Sequence, residues 1–265
     1  MDLGLRDARV IVTGGAANIG RGIVHGFAAE GSRILICDVD GDQAVRVQKE
    51  ALELGASAAE TCDLDLTEVG AGDAVVALAE TLWGGVDVLV NNAGWSVPCF
   101  VEQDFDRDRW QRLVEVNLFA TMECSRAVIG PMKAQGGGSI VTISSDAAFG
   151  QIRQGMYGAT KAAQVALART IAKEHGRHGI RSNIVCPGLV MPESPDAVGS
   201  KSLWAAGEDN VFNDDQVQSI VKALPLRRLT TAVDIANTVV FLSSEVASRQ
   251  TTGQLVSVSG GFSMP

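Results

Sequence analysis

Thr13-Gly14-Gly15-Ala16-Ala17-Asn18-Ile19-Gly20 joins a short apolar run, Ala8 to Thr13, to a helical pattern beginning near Ile19, and this passage decides the fold. Gly14 permits a tight turn. The small residues at 15 to 17 let main chain approach a phosphate, and the helix start aims free N–H groups and its positive dipole end at that charge. The strand before it and the helix after it are the context that a dinucleotide-binding glycine turn requires.

Outward from the turn the same rhythm continues. Arg33 to Cys37, Ala58 to Cys62, Val86 to Asn91, Ser139 to Ser144, Arg181 to Cys186 and Gln254 to Val258 are short, apolar and bounded by Gly or polar residues, as strands buried on both faces should be. Between them Ile19 to Glu30, Gln43 to Leu54, Gly72 to Trp83, Arg107 to Lys133, Tyr157 to His175 and Val233 to Ser243 carry apolar residues at helical spacing. The alternation predicts an α/β fold: a single-domain, Rossmann-type, doubly wound parallel sheet of about seven strands flanked by helices, spanning 1–265. One stretch, 189–224, is irregular, with Pro192, Pro195, Gly199 and Gly207 among Trp204 and Phe212; a loop of that length is expected to form a lid over substrate.

Composition narrows the function. A net charge of −9 and a pI near 4.8 repel nucleic-acid backbones and anionic membrane surfaces, so neither is expected as a partner. No apolar run reaches the length of a spanning helix and the N-terminus has no leader pattern, which predicts a cytoplasmic protein. Cys37, Cys62, Cys99, Cys124 and Cys186 are odd in number and far apart, and read as reduced thiols; no metal shell is expected.

The second strand ends at Asp38. A carboxylate there can accept hydrogen bonds from adenosine ribose hydroxyls while repelling the extra phosphate of NADP, which selects NAD. Tyr157 and Lys161 stand four apart and so share a helix face, putting an ammonium near a phenol that is otherwise too weak a base at neutral pH. Tyr157 is the only Tyr in the chain.

Together with Asn91-Asn92-Ala93-Gly94 after a strand, Asn117 in a long helix and Pro187-Gly188, these motifs resemble the short-chain dehydrogenase/reductase family over nearly the whole chain. The resemblance implies an NAD-dependent oxidoreductase that moves a hydride between a secondary alcohol and NAD, with Tyr157 as general acid/base, Lys161 beside it, a Ser on the substrate oxygen, and Asn117 at a helix distortion whose bridging water leads protons toward Lys161. It implies cofactor contacts from Gly14, Ala17, Asn18, Ile19 and Gly20, from an adenine pair Asp63-Leu64, from Asn92, Ala93 and Gly94, and from Pro187, Gly188 and Val190 beside the nicotinamide. The family's Ser usually stands thirteen residues before the Tyr, which selects Ser144; strand register along Ser139 to Ser145 selects Ser145, and Ser145 is preferred because a loop absorbs a deletion more cheaply than a strand absorbs a slip. Two positions depart from the pattern. Asn18 replaces a glycine, and Asn tolerates positive φ better than most residues; Pro192 replaces a Thr that would bind the carboxamide.

Trp95, Phe149, Ile152, Met191, Trp204 and Phe212 are candidates to line an apolar substrate pocket, with Arg153 as a receptor for a carboxylate. Several segments look like the family's alicyclic hydroxyacyl-CoA dehydrogenases, yet the acidic lid opposes coenzyme A phosphates. A neutral cyclic or hydrophobic secondary alcohol therefore ranks first, a hydroxyacyl or oxoacyl thioester second, and a non-catalytic NAD-binding regulator third. The resemblance also implies a homo-oligomer, commonly a tetramer, packed through the helices beginning near Arg107 and Tyr157.

Overall fold

The computed structural model describes residues 2–194, 197–199 and 214–265. Seven strands form one parallel sheet: β1 Arg9–Thr13, β2 Arg33–Asp38, β3 Ala58–Asp63, β4 Val88–Asn91, β5 Gly138–Ile143, β6 Ile180–Pro187 and β7 Leu255–Val258, in the order β3-β2-β1-β4-β5-β6-β7. Each strand but β7 is followed by helix that returns over the sheet: α1 Asn18–Ala29, α2 Gly41–Leu54, α3 Ala71–Trp83, α4 Arg107–Val114, α5 Ala120–Ala134, α6 Gly155–His175, α7 Asp214–Ala223 and α8 Ala232–Ser243. The order reverses direction between β1 and β4, and a crevice opens where the carboxyl ends of those two strands diverge.

Strand side chains alternate between two cores. Val10, Val12, Ile34, Ile36, Val88 and Val90 pack under α1, α2 and α8, while Ile11, Leu35, Leu89 and Ile140 pack under α3 and α5. Ile11, fully buried at the centre of the sheet, is the kind of side chain whose truncation to Ala costs about 2–5 kcal/mol. Two of the helices that frame the sheet are capped by side chains: Asp40 accepts from the Gln43 amide at the start of α2, and Thr231 and Asp234 form a reciprocal capping box on α8.

Two expectations about elements change. The helix read from Arg107 to Lys133 is broken by a π-helical turn, Glu115–Phe119, that separates α4 from α5 and carries Asn117. The irregular 189–224 stretch contains α7, whose apolar positions were masked in the sequence by the turn residues before it. Trp204 and Phe212, expected over the substrate, lie outside the described residues. All five cysteines are free thiols; Cys37, Cys124 and Cys186 are buried, whereas Cys62 and Cys99 are half-buried.

Candidate active site

A cavity of about 550 Å³ occupies the crevice, running from the glycine turn to the start of α6. At one end Gly14 has φ +60°, and a Cβ there would stand 2.8 Å from the Ala93 Cα, so the turn and the 92–94 segment close only around glycine. Asn18 has φ +40°, the left-handed conformation expected of a residue replacing glycine, and its Nδ2 donates to Val190 O at 3.4 Å. Ala17, the cap of α1, has no side-chain partner for the helix amides, in contrast to α2 and α8; the open N–H groups and dipole of α1 therefore face the cavity.

Thr13 ties this end together, a role the sequence did not signal. Its hydroxyl accepts from the amides of Asn92 at 3.0 Å and Ala93 at 3.1 Å, while Asn92 Nδ2 donates to Gly14 O at 2.7 Å. The Asp38 carboxylate accepts from the Ala16 amide at 2.9 Å and the Asp40 amide at 3.1 Å; burial raises its pKa while those amides oppose the rise. Leu64 and Asp65 line the cavity. Asp63, the other half of the expected adenine pair, pairs with Asp38 but stands one strand farther from β1, on the edge strand β3; it is exposed and sits against Gly41 at the start of α2.

At the other end four segments converge. Ser144, buried, donates to Lys161 O at 2.8 Å, a structural bond between β5 and α6. The Ser145 hydroxyl accepts from the Ala147 amide at 3.1 Å and lies near enough to the Tyr157 phenol to favour its ionised form. Of the two serines, Ser145 is thus the one turned toward Tyr157. Lys161 Nζ donates to Ile143 O at 2.8 Å and lies 5.6 Å from the Tyr157 ring centre. Burial pushes the phenol up to about 12, tempered by Ser145, and brings the Lys161 ammonium down to about 8. Gly94 gives both groups room, since a Cβ there would stand 3.3 Å from Lys161 Nζ and 3.4 Å from Asn117 Oδ1.

Asn117 is fully buried on the π-turn. Its side chain clasps the Trp95 main chain, accepting from the amide at 2.7 Å and donating to the carbonyl at 2.9 Å, and it also donates to Thr160 Oγ1. The Asn117 main-chain carbonyl at the expected helix distortion accepts from Gln164 Nε2 at 2.5 Å and Thr121 Oγ1 at 2.9 Å. Gln164 and Thr160 are polar residues on the inner face of α6, and that pattern was the only sequence signal for either.

Of the candidates for substrate contact, Trp95 lines the cavity, whereas Met191 is half-buried outside its lining. Arg153 is exposed, with its guanidinium 5.6 Å from the Phe100 ring centre, and does not reach the cavity; Arg112 of α4 does, stacked 5.9 Å over Trp95. Pro187, Gly188, Leu189 and Val190 close the wall opposite the glycine turn. Among the described residues no helix is long and apolar enough to cross a membrane, and no acidic, His or Cys cluster could hold a metal ion.

Known proteins share this layout. The family described as Enoyl-(Acyl carrier protein) reductase matches residues 14–263. The 7alpha-hydroxysteroid dehydrogenase of Escherichia coli strain K12 is 35% identical over 95% of this chain and 92% of its own, and the 3-alpha-(or 20-beta)-hydroxysteroid dehydrogenase of Mycobacterium bovis is 34% identical over 95% and 87%. A solved structure of 7 alpha-hydroxysteroid dehydrogenase complexed with NADH and 7-oxo glycochenodeoxycholic acid superposes with a TM-score of 0.87 at 33% identity, covering 98% of this chain and 96% of that one. With the glycine turn and the Ser145–Tyr157–Lys161 cluster in one crevice and the Asn117 distortion behind its wall, the chain belongs to the short-chain dehydrogenase/reductase family of oxidoreductases.

Proposed function

We infer that the cavity binds NAD along its glycine-turn end and interconverts a secondary alcohol and its ketone at its Tyr157 end. The observation that carries this reading is the meeting, in one crevice, of the uncapped α1 N-terminus with the Ser145–Tyr157–Lys161 cluster. Residues Gly14, Ala17, Asn18, Ile19 and Gly20 fit a pyrophosphate, because they line the cavity at the start of α1, where no side chain caps the helix amides. Asp38 would accept from ribose hydroxyls and repel a 2′-phosphate; Leu64, and Asn92 to Gly94, would flank the adenosine, and Pro187, Gly188 and Val190 the nicotinamide. Bound there, the oxidised cofactor supplies a hydride acceptor.

The chain's own residues handle the proton. Ser145 and Tyr157 bracket the alcohol oxygen, and Tyr157 takes its proton as the C–H bond breaks, returning one in the direction of reduction. A half-buried phenol near 12 makes this costly, so Lys161 matters through its charge: at about 8 it stays largely protonated at neutral pH. Asn117 holds the Trp95 wall and the π-turn in register with α6.

Trp95 and Val116 offer an apolar wall to a ring, and the ring alcohols in the relatives' names support a cyclic or hydrophobic substrate. Arg112 takes the place first expected for Arg153 as the receptor for an acidic substituent. A thioester substrate is the second reading, favoured by the acyl-carrier description of the matching family. Exposed Phe119, Met122, Phe149 and Ile152 support assembly with further copies. The test is to offer NAD with cyclic alcohols, acidic steroid-like alcohols and 3-hydroxyacyl thioesters while following reduced nicotinamide. Turnover of a ring alcohol is expected; NAD binding without turnover on any of the three would leave a non-catalytic regulator.

A further inference from the structure

β2 and β3 end on a pair of thiols. Cys37 and Cys62 are directly opposite one another in the parallel register, and both face the core under α3 and α5. Neighbouring strands lie about 4.8 Å apart, within the Cα separation that a disulfide spans. The two thiols differ in access: Cys37 is fully buried, Cys62 is half-buried. They also differ in acidity: the neighbouring Cys37 thiol brings Cys62 down to about 7, whereas Cys62 and burial push Cys37 up.

The pair sits on the framework of the glycine turn. Cys37 O accepts from the Gly14 amide at 2.7 Å, the next residue, Asp38, holds Ala16 through its carboxylate, and the Leu64 amide donates to Asp38 O at 3.2 Å. We propose that Cys37 and Cys62 form a site of reversible oxidation by low-molecular-weight disulfides, closing to an intrachain disulfide that weakens dinucleotide binding at the turn. The Cys62 thiolate attacks the reagent disulfide RS–SR, giving Cys62–S–SR and RS⁻; the Cys37 thiol then loses its proton and attacks the Cys62 sulfur, expelling a second RS⁻. Both leaving thiolates end as RSH, so one RS–SR is reduced to two RSH as two protein thiols become one disulfide. Closure requires the two Cβ atoms to approach to about 3.5–4.5 Å. That draws the ends of β2 and β3 together and moves Asp38 and the Cys37 carbonyl relative to the Gly14 and Ala16 amides.

The effect on cofactor rests on the proposed NAD reading, so two readouts separate them. The full chain is incubated with glutathione disulfide; intact mass and peptide mapping report linkage, and NAD affinity is measured on the reduced and oxidised forms. Expected are a loss of two hydrogens, linkage of the peptides holding Cys37 and Cys62, and an affinity for NAD weaker by at least about tenfold that dithiothreitol restores. Cys62→Ser should keep its NAD affinity and resist the reagent, while Cys124→Ser still links. A stable glutathione adduct on Cys62 without closure, linkage through Cys124, or a linked protein with unchanged affinity would each overturn the proposal. Absence of NAD binding by the reduced protein would instead overturn the cofactor reading, with the mass still reporting on the thiols.

Discussion

The two ends of the cavity are made of different material. At the glycine-turn end the groups that face the crevice are main chain within a few residues, Gly14 to Gly20, held by Thr13, Asn92 and Asp38. At the Tyr157 end they are side chains from the segment after β4, the π-turn, the end of β5 and the face of α6. A surface of main chain is set by conformation, so any side chain that forbids the conformation removes it. A surface of side chains can lose one member while the rest persist, and each loss should register in the chemistry rather than in binding.

Substitutions can break that contrast. Gly14→Val puts a β-branched residue at φ +60° and a Cβ 2.8 Å from Ala93; NAD affinity should fall about a hundredfold or more by titration. Equal loss of affinity from Asn117→Ala would erase the distinction. The expected outcome for Asn117→Ala is a fall in kcat of about a hundredfold with NAD binding changed little, because the Trp95 wall and the π-turn lose their clasp. Asp38→Asn can still accept from the Ala16 amide while removing the charge, so the ratio of NAD to NADP affinity should drop by about tenfold, with total turnover on NAD less affected.

The seam between the ends carries an effect on stability rather than on binding or turnover. Asp146 is buried beside Gly188, one oxygen without a partner, and burial raises its pKa from 3.8 to about 6. The folded state therefore holds this proton more tightly than the unfolded chain. Its contribution is full below about pH 4 and is lost as pH rises through about 6, an amplitude of up to about 3 kcal/mol. Urea unfolding of Asp146→Asn against the parent should show a flatter stability curve between those pH values; parallel curves would mean that the carboxyl is solvated.

The same contrast explains what was legible beforehand. The parallel sheet, its strands within a residue or two, Gly14, the positive φ of Asn18 and the place of Asp38 follow from local chain properties, and those survive in a sequence. Asp63 stands apart from the cavity lining because the strand order, which the letters do not carry, puts β3 one strand beyond β2. Thr13, Thr160 and Gln164 were unread because their roles exist only as bonds across the fold, and Arg112 displaced Arg153 because α4 rather than the loop before α6 borders the cavity. The choice between Ser144 and Ser145 was set by strand register, which points one hydroxyl at Lys161 O and the other at Tyr157.

The central claim is that one cavity joins cofactor binding to proton transfer at Tyr157, and Tyr157→Phe tests it most directly. The account predicts NAD affinity within about threefold of the parent and alcohol turnover reduced by about a thousandfold. Turnover retained at a tenth or more of the parent rate would contradict it.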